Sequence, residues 1–387
     1  MVIDFRRLDV ATAGFSTFLH LYAPQELLPE LAREFGVGAA QIIAMITAGT
    51  LAIALTAPFT GAAADVLGRK HLITGAMFAV TVPMAMATVS TGVDTIIAWR
   101  FVQGLLLPPI FIVVLAYIGD EWPAAEVAGV AGLYVSGSSL GGFCGRFTPG
   151  VLADLVGWRF AFLALAGLGL AGATLVAAKL PCERRFVRSQ GFLASGLQML
   201  RHLRNPQLVA TYAVGFGVLF NFIAIFTYVS FHLAAPPYNF SSSSLGALFL
   251  TYLIGTLAAP LTGRAVMRFG RRIFIIGVIA VWAIGLGLLL ASPVAVIVLG
   301  LAVCAGCGML CQATSTGYVT ASAHEGRSSA IGLYVSCFYI GGSIGGYMAG
   351  TVWSQAGWRG VVALSAIVLL IMGIIVTFVW SVQPTRK

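Results

Sequence analysis

Long apolar runs separated by short polar breaks fill the chain from end to end. Twelve such segments can be marked, at 9–28, 39–63, 71–91, 94–118, 125–150, 157–180, 206–232, 242–266, 273–292, 294–319, 328–351 and 358–380. A helix of about 20 apolar residues spans the hydrocarbon core of a bilayer. A membrane barrel would instead show strands of about ten alternating residues. The pattern predicts an all-α membrane protein with twelve transmembrane helices.

Composition narrows the class further. Of 387 residues, 59% are hydrophobic and 9% are charged, where a soluble domain carries about 25% charged residues. That little charge cannot cover a water-soluble surface, and the high hydrophobicity excludes a disordered chain. The net charge of +9 would point to nucleic acid in a soluble protein. Here it is read as Lys and Arg retained on one membrane face, with no nucleic-acid partner. Five of the six cysteines lie inside apolar runs and only Cys182 is in a polar stretch, so no secreted disulfide framework is expected. Arg6 and Arg7 before the first run resemble a signal peptide, but the continuing apolar segments favour an uncleaved first span.

With the N-terminus inside, 17 Lys and Arg residues fall on the cytoplasmic side and 3 outside, while Arg100 and Arg146 fall within spans. This asymmetry predicts both termini in the cytoplasm. The longest connection, 181–205, carries Arg184, Arg185 and Arg188, then Leu193, Leu197 and Leu200 at helical spacing with Arg201 and Arg204 nearby. It reads as an amphipathic helix on the inner leaflet or as a solvated linker helix.

The chain also repeats itself. GLYVSGSSLGG at 132–142 recurs as GLYVSCFYIGG at 332–342, and Gly157-Trp158-Arg159 recurs as Gly357-Trp358-Arg359. APFTGAAADVLGRK at 57–70 recurs as APLTGRAVMRFGRR at 259–272. An offset near 200 spans six helices, so both copies have the same orientation. The expected domains are a six-helix bundle at 1–180, a linker at 181–205 and a second bundle at 206–387. Parallel halves of this kind imply a substrate site between them near the midplane.

Three motifs make the sequence resemble the major facilitator superfamily, in its drug/proton antiporter and sugar-efflux-like branch. Gly61, Asp65, Gly68, Arg69 and Lys70 match the signature between spans two and three. Arg100, Gln103 and Gly104 match the R-x-x-Q-G pattern of span four. Gly137, Gly141, Gly142 and Gly145 match the glycine-rich motif of span five, with Gly142 where a proline often stands. The resemblance covers essentially the whole chain. It implies two halves that alternately open a shared pocket, a monomer, and residence in a bacterial inner membrane.

The resemblance also implies roles. Asp65 would face the N-terminus of the eleventh helix near Arg327, and Arg69 would pair with Asp120 or Glu121, together holding a cytoplasmic gate. Gly141 and Gly145 allow the close helix packing and sliding that gating needs. The second copy has Met267 where Asp65 stands, so this gate is expected to be one-sided. A charge at the position of Arg100 costs roughly 2.5–3.5 kcal/mol on insertion scales. It therefore needs a partner or a wet cavity, and proton coupling is one role, a snorkelling interface residue another. Glu26, His20 and His232 are the candidate proton carriers. A carboxylate withdrawn from water can exchange protons near neutral pH, although Glu26 can equally be a solvated end residue.

For substrate contact the candidates are Phe18, Tyr22 and Gln25 in span one, and Gln103 and Phe111 in span four. Span seven offers Asn221 and Tyr228, and span ten offers Gln312. Arg146 would meet an anionic group or pair with Asp154. Such a mixture of aromatics and few charges suits amphipathic organic molecules. Cys304, Cys307 and Cys311 share a helical face, but cysteine is also an ordinary small core residue, and no metal site is expected. No nucleotide loop or hydrolase motif is present, so the chain is read as no enzyme and needs no cofactor beyond a proton gradient. The function expected is proton-driven export of small organic molecules. An uptake symporter or facilitator on the same fold is the alternative, and a soft-metal or non-transport membrane protein a more distant one.

Overall fold

The computed structural model describes residues 6–183, 201–258, 262–323 and 327–380. Among them every element is helical, and each of the twelve apolar segments lies on helix. In chain order these are α1 (Arg6–Tyr22), α2 (Leu28–Phe35), α3 (Ala39–Ile42), α4 (Ala44–Leu67), α5 (Arg69–Thr88), α6 (Val93–Leu106), α7 (Pro108–Glu121), α8 (Ala124–Val156) and α9 (Trp158–Lys179). There follow α10 (Pro206–Ala234), α11 (Ser242–Ala247), α12 (Thr251–Ala258), α13 (Thr262–Phe269), α14 (Arg271–Leu288), α15 (Val294–Ser322) and α16 (Arg327–Val379). Most of the amphipathic segment expected at 181–205 lies outside the described residues.

Three segments are less continuous than the hydrophobic pattern implies. The first helix ends at Tyr22, because Pro24 has no N–H for the next turn, and residues 23–27 form a turn before α2. The fourth splits at Leu107 in front of Pro108 and Pro109, giving α6 and α7. The eighth is divided by a 3₁₀ turn at Leu248–Leu250, following the serine run 241–244 and Gly246, all weak helix formers.

Two compact units are present. One contains the described residues of Met1–Phe192 with Leu233–Ala247, and the other those of Leu193–His232 with Leu248–Lys387. The repeat persists at the level of backbone torsion. Gly68 and Gly270 join the second to the third segment and the eighth to the ninth with φ of 83° and 77°. Gly157 and Gly357 do the same before the sixth and twelfth, with φ of 88° and 59°. With their extended ψ values these are conformations that only glycine adopts without strain.

Glycine also sets helix spacing in both units. A Cβ on Gly141 would strike the Phe15 carbonyl, and one on Gly341 the Phe216 carbonyl. Gly145 and Gly345 sit in the same way on Leu19 and Phe220. Large apolar side chains point outward, with Phe378 82% exposed, as a bilayer-facing surface requires. Gly141→Val is expected to push α8 off α1 and lower the thermal midpoint of the detergent-purified protein, costing about 1–3 kcal/mol or more for overpacking. Gly132→Ala, which meets open space, should leave the midpoint unchanged.

Candidate substrate and coupling site

The turn that ends the first helix builds the centre of the first unit. Pro24 cannot donate to the His20 carbonyl, and the Gln25 N–H turns to the Tyr22 carbonyl at 3.0 Å. The carbonyls of His20 and Leu21 are thus left without helical donors, inside a low-dielectric environment. Arg100 supplies them. One guanidinium nitrogen donates to the His20 carbonyl at 2.9 Å, and another donates to the Leu21 carbonyl at 2.5 Å. The first nitrogen also donates to the Gln103 side-chain oxygen. Gly104 lets this helix lie against Gly49. Arg100 is 3% exposed, and among the described residues no carboxylate lies within 4 Å of it. Its surroundings are those of a buried helix cap, not of a snorkelling interface residue.

The same turn places Gln25 and Glu26 beside Arg146 of α8. Arg146 donates from Nε to the Gln25 oxygen at 2.9 Å and from a terminal nitrogen to the Gly142 carbonyl at 2.9 Å. Its guanidinium carbon lies 3.7 Å from the centre of the Tyr22 ring, a cation–π contact. The Glu26 carboxylate is 3.8 Å from Arg146 Nε and wholly buried, and neither of its oxygens accepts a hydrogen bond. It is no solvated helix end. Phe18 stacks beside Tyr22 and tilts against Phe111, each pair with centroids 6.3 Å apart. Phe18, Tyr22, Gln25, Glu26, Phe111 and Arg146 thus form one continuous group of aromatic and charged side chains.

Other residues singled out from sequence lie elsewhere. His20 donates from Nδ1 to the Ser16 carbonyl at 2.7 Å, and its ring lies against Gly169 of α9. In the second unit, Asn221 donates to the Gly217 carbonyl at 2.9 Å and touches Met372. Tyr228 donates to the Gly346 carbonyl at 3.1 Å and packs on Trp353. His232 stacks on Trp358 at 5.2 Å. The stripe Asn221, Tyr228, His232 therefore packs on α16. Gln312 on α15 is half-buried. Asp154 does not pair with Arg146: it accepts the backbone N–H groups of Ser242 and Ser243 at 3.2 and 2.9 Å.

At the basic end of the first unit, Arg69 forms an ion pair with Asp120. The Asp65 side chain and that of Arg327 lie outside the described residues. A further carboxylate was not anticipated. Glu183, just past α9, accepts the backbone N–H groups of Arg69 and Lys70 at 2.9 and 3.3 Å, filling the N-terminus of α5. Tyr117 reinforces this by donating to the Pro181 carbonyl at 3.0 Å. The only signal in sequence was an acid within a basic stretch, and spacing alone does not connect positions 69 and 183. At the other end, Glu34 accepts from Trp158 and Arg159 at 2.5 and 2.7 Å, and Glu30 accepts from the Ser242 hydroxyl at 2.8 Å.

With this fold, a helix-broken first span and an intramembrane charge cluster, the molecule has the construction of a polytopic transporter. A profile of the Major Facilitator Superfamily matches residues 10–250 and 222–387, and the chain belongs to that family. The inner membrane transport protein YnfM of Escherichia coli is 31% identical over 377 residues, 95% of this chain and 89% of that protein. The uncharacterized MFS-type transporter YybF of Bacillus subtilis is 28% identical over 95% of this chain and 92% of its own length. A crystal structure of the nucleoside transporter NupG (D323A mutant) superimposes with a TM-score of 0.78 at 14% identity, over 97% of this chain and all of that one. The chain is a multi-pass membrane transporter and not an enzyme.

Two predictions follow from the geometry. Arg100→Leu strands the carbonyls of His20 and Leu21, and each hydrogen bond to a charged group contributes roughly 1.5–3 kcal/mol. The thermal midpoint should fall clearly, with Arg100→Lys in between; a wild-type midpoint for Arg100→Leu would overturn the capping role. Burial pushes the Glu183 carboxyl up, but the backbone N–H groups of Glu183, Lys70 and Arg69, with His71, bring it below the usual carboxylate range. Its contribution to stability is therefore present above the ordinary glutamate pKa of about 4.3 and lost as pH falls through the lower folded value. The midpoint gap between wild type and Glu183→Gln should be constant near neutrality and close below about pH 4.

Proposed function

We propose that this transporter exports small amphipathic organic molecules in exchange for protons, by alternating access between two six-helix halves at 1–180 and 206–387 joined by the linker at 181–205. The reading places it in a bacterial inner membrane as a monomer with both termini in the cytoplasm, following the charge distribution. One observation carries the coupling: Glu26 is fully buried, takes no hydrogen bond and lies 3.8 Å from Arg146. A carboxylate so placed is costly to keep ionised and also costly to bury unpaired. It is therefore suited to change protonation when its neighbours move.

In this scheme Glu26 carries the proton. Arg146 and Gln25 sense its charge, and Phe18, Tyr22 and Phe111 offer the aromatic surface for substrate. Arg100 with Gln103 is a positioning group, because it fixes the turn from which Glu26 projects. Gln312 is the proposed contribution of the second half to substrate contact, with Asn221 and Tyr228 reaching it when α10 parts from α16, and His20 and His232 are secondary proton sites. Arg69, Asp120 and Asp65 hold the cytoplasmic gate, supported by the close packing at Gly141 and Gly145.

A thermal-shift screen of amphipathic organic compounds on the purified protein, then flux of each hit in proteoliposomes, tests the reading. A gradient acidic on the side opposite the compound should drive its uphill movement toward the acid. Glu26→Gln should abolish that movement while leaving downhill exchange. Accumulation driven in the same direction as the proton gradient would establish symport instead. Unaltered pH dependence in Glu26→Gln would remove Glu26 from the mechanism.

A further inference from the structure

The repeat makes one site visible by its failure. In the first unit the contact of α8 with α1 continues past Gly141, because Gly137 lies on the Ala11 carbonyl. The corresponding pair in the second unit is Cys337 and Tyr212, each four residues before the matching contact at Gly341 and Phe216. A thiol and a phenol stand where a glycine and an alanine allowed backbone contact. Here α10 meets α16 across an open groove of about 380 Å³, lined by Leu203, Tyr212, Phe216, Cys337, Val368 and Met372 among others. The lining is almost wholly apolar, with one exception. The Tyr212 side chain is 3% exposed, and its hydroxyl has no hydrogen-bond partner. A buried hydroxyl without a partner costs on the order of 1–3 kcal/mol, so the groove lacks an acceptor.

The mouth of the groove has its own chemistry. Leu203 lies on the turn leading into α10, flanked by Arg201 and Arg204, and all three are exposed. Val209 and Ile371 carry the apolar lining out to the surface. Side chains on a helix lean toward its N-terminus, the end of α10 at which the two arginines lie in sequence. Two exposed cations thus flank a lining residue in sequence, and one buried donor interrupts an otherwise hydrocarbon lining. We propose that this groove binds an anionic phospholipid, from the leaflet at the basic end of the molecule. Its phosphate meets Arg201 and Arg204, an ester carbonyl accepts from Tyr212, and an acyl chain lies along Phe216, Cys337 and Met372. The chain's own segment at 184–200 is a poorer occupant, since it brings Arg184, Arg185 and Arg188 toward the same two arginines.

The full-length protein in nanodiscs tests this, with phosphatidylcholine alone or mixed with phosphatidylglycerol of the same acyl chains. Native mass spectrometry should find phosphatidylglycerol retained in preference, by about fivefold for each arginine near an anionic lipid surface. Arg201→Gln with Arg204→Gln should erase that preference while leaving the thermal midpoint unchanged, and Tyr212→Phe should weaken retention of both lipids. A benzophenone side chain in place of Val209 should crosslink to lipid. Equal retention of the two lipids in the wild type, or no change in the arginine double variant, would overturn the proposal. So would crosslinking from position 209 to residues 184–200.

Discussion

The interior of the first unit depends on a backbone debt incurred at one proline. In water, carbonyls freed at a helix end are hydrated at little cost, but within a membrane each must find a protein donor. Pro24 frees the carbonyl of His20, and the turn that follows leaves that of Leu21. The planar fork of Arg100 reaches both, which a lysine ammonium, a single point donor, does less well. Charge, hydrogen-bonding capacity and position are thus explained together. The arginine allows the chain to turn where a continuous helix would otherwise run. The turn in turn brings Gln25 and Glu26 inward beside Arg146.

The two copies of the repeat preserve backbone geometry more strictly than chemistry. The glycine contacts at 141 and 145 recur at 341 and 345. The basic pairs Arg69-Lys70 and Arg271-Arg272 occupy equivalent helix starts. Their surroundings differ. In the first unit an acid, Glu183, accepts from the backbone, and Asp120 pairs with Arg69. In the second, Arg272 donates to the Thr377 carbonyl and Arg271 lies over the Tyr318 ring at 4.4 Å. Gln207 ties that corner together, donating to the Val379 carbonyl and accepting from Tyr318. Neutral and aromatic groups do there what carboxylates do in the first unit.

The fold was legible in sequence because hydrophobic run length answers directly to bilayer thickness. The glycine-rich stripe was legible too, since only small residues permit backbone contact between helices. The site was less so. Asn221, Tyr228 and His232, at i, i+7 and i+11, share one helix face, but a helix in a bundle has several buried faces. The pattern does not say which neighbour each meets, and α16 occupies this one. Glu26 was ambiguous for a related reason: hydropathy places it near a span end, while its burial depends on Pro24 redirecting the chain. Glu183 was invisible because its partners are backbone groups over a hundred positions away, and such donors leave no mark in side-chain identity.

The four junction glycines at 68, 157, 270 and 357 have a mechanical consequence. A junction made of one residue, held in a torsion no other residue adopts easily, gives the adjoining helices a fixed angle and almost no slack. The pairs α4–α5 and α8–α9, and their counterparts in the second unit, therefore behave as stiff brackets. The interrupted helices are built differently, their breaks being the turn at 23–27, Leu107 and the 3₁₀ step at Leu248–Leu250. The protein thus keeps its glycine junctions apart from its helix breaks, and one of those breaks, clamped by Arg100, carries Glu26.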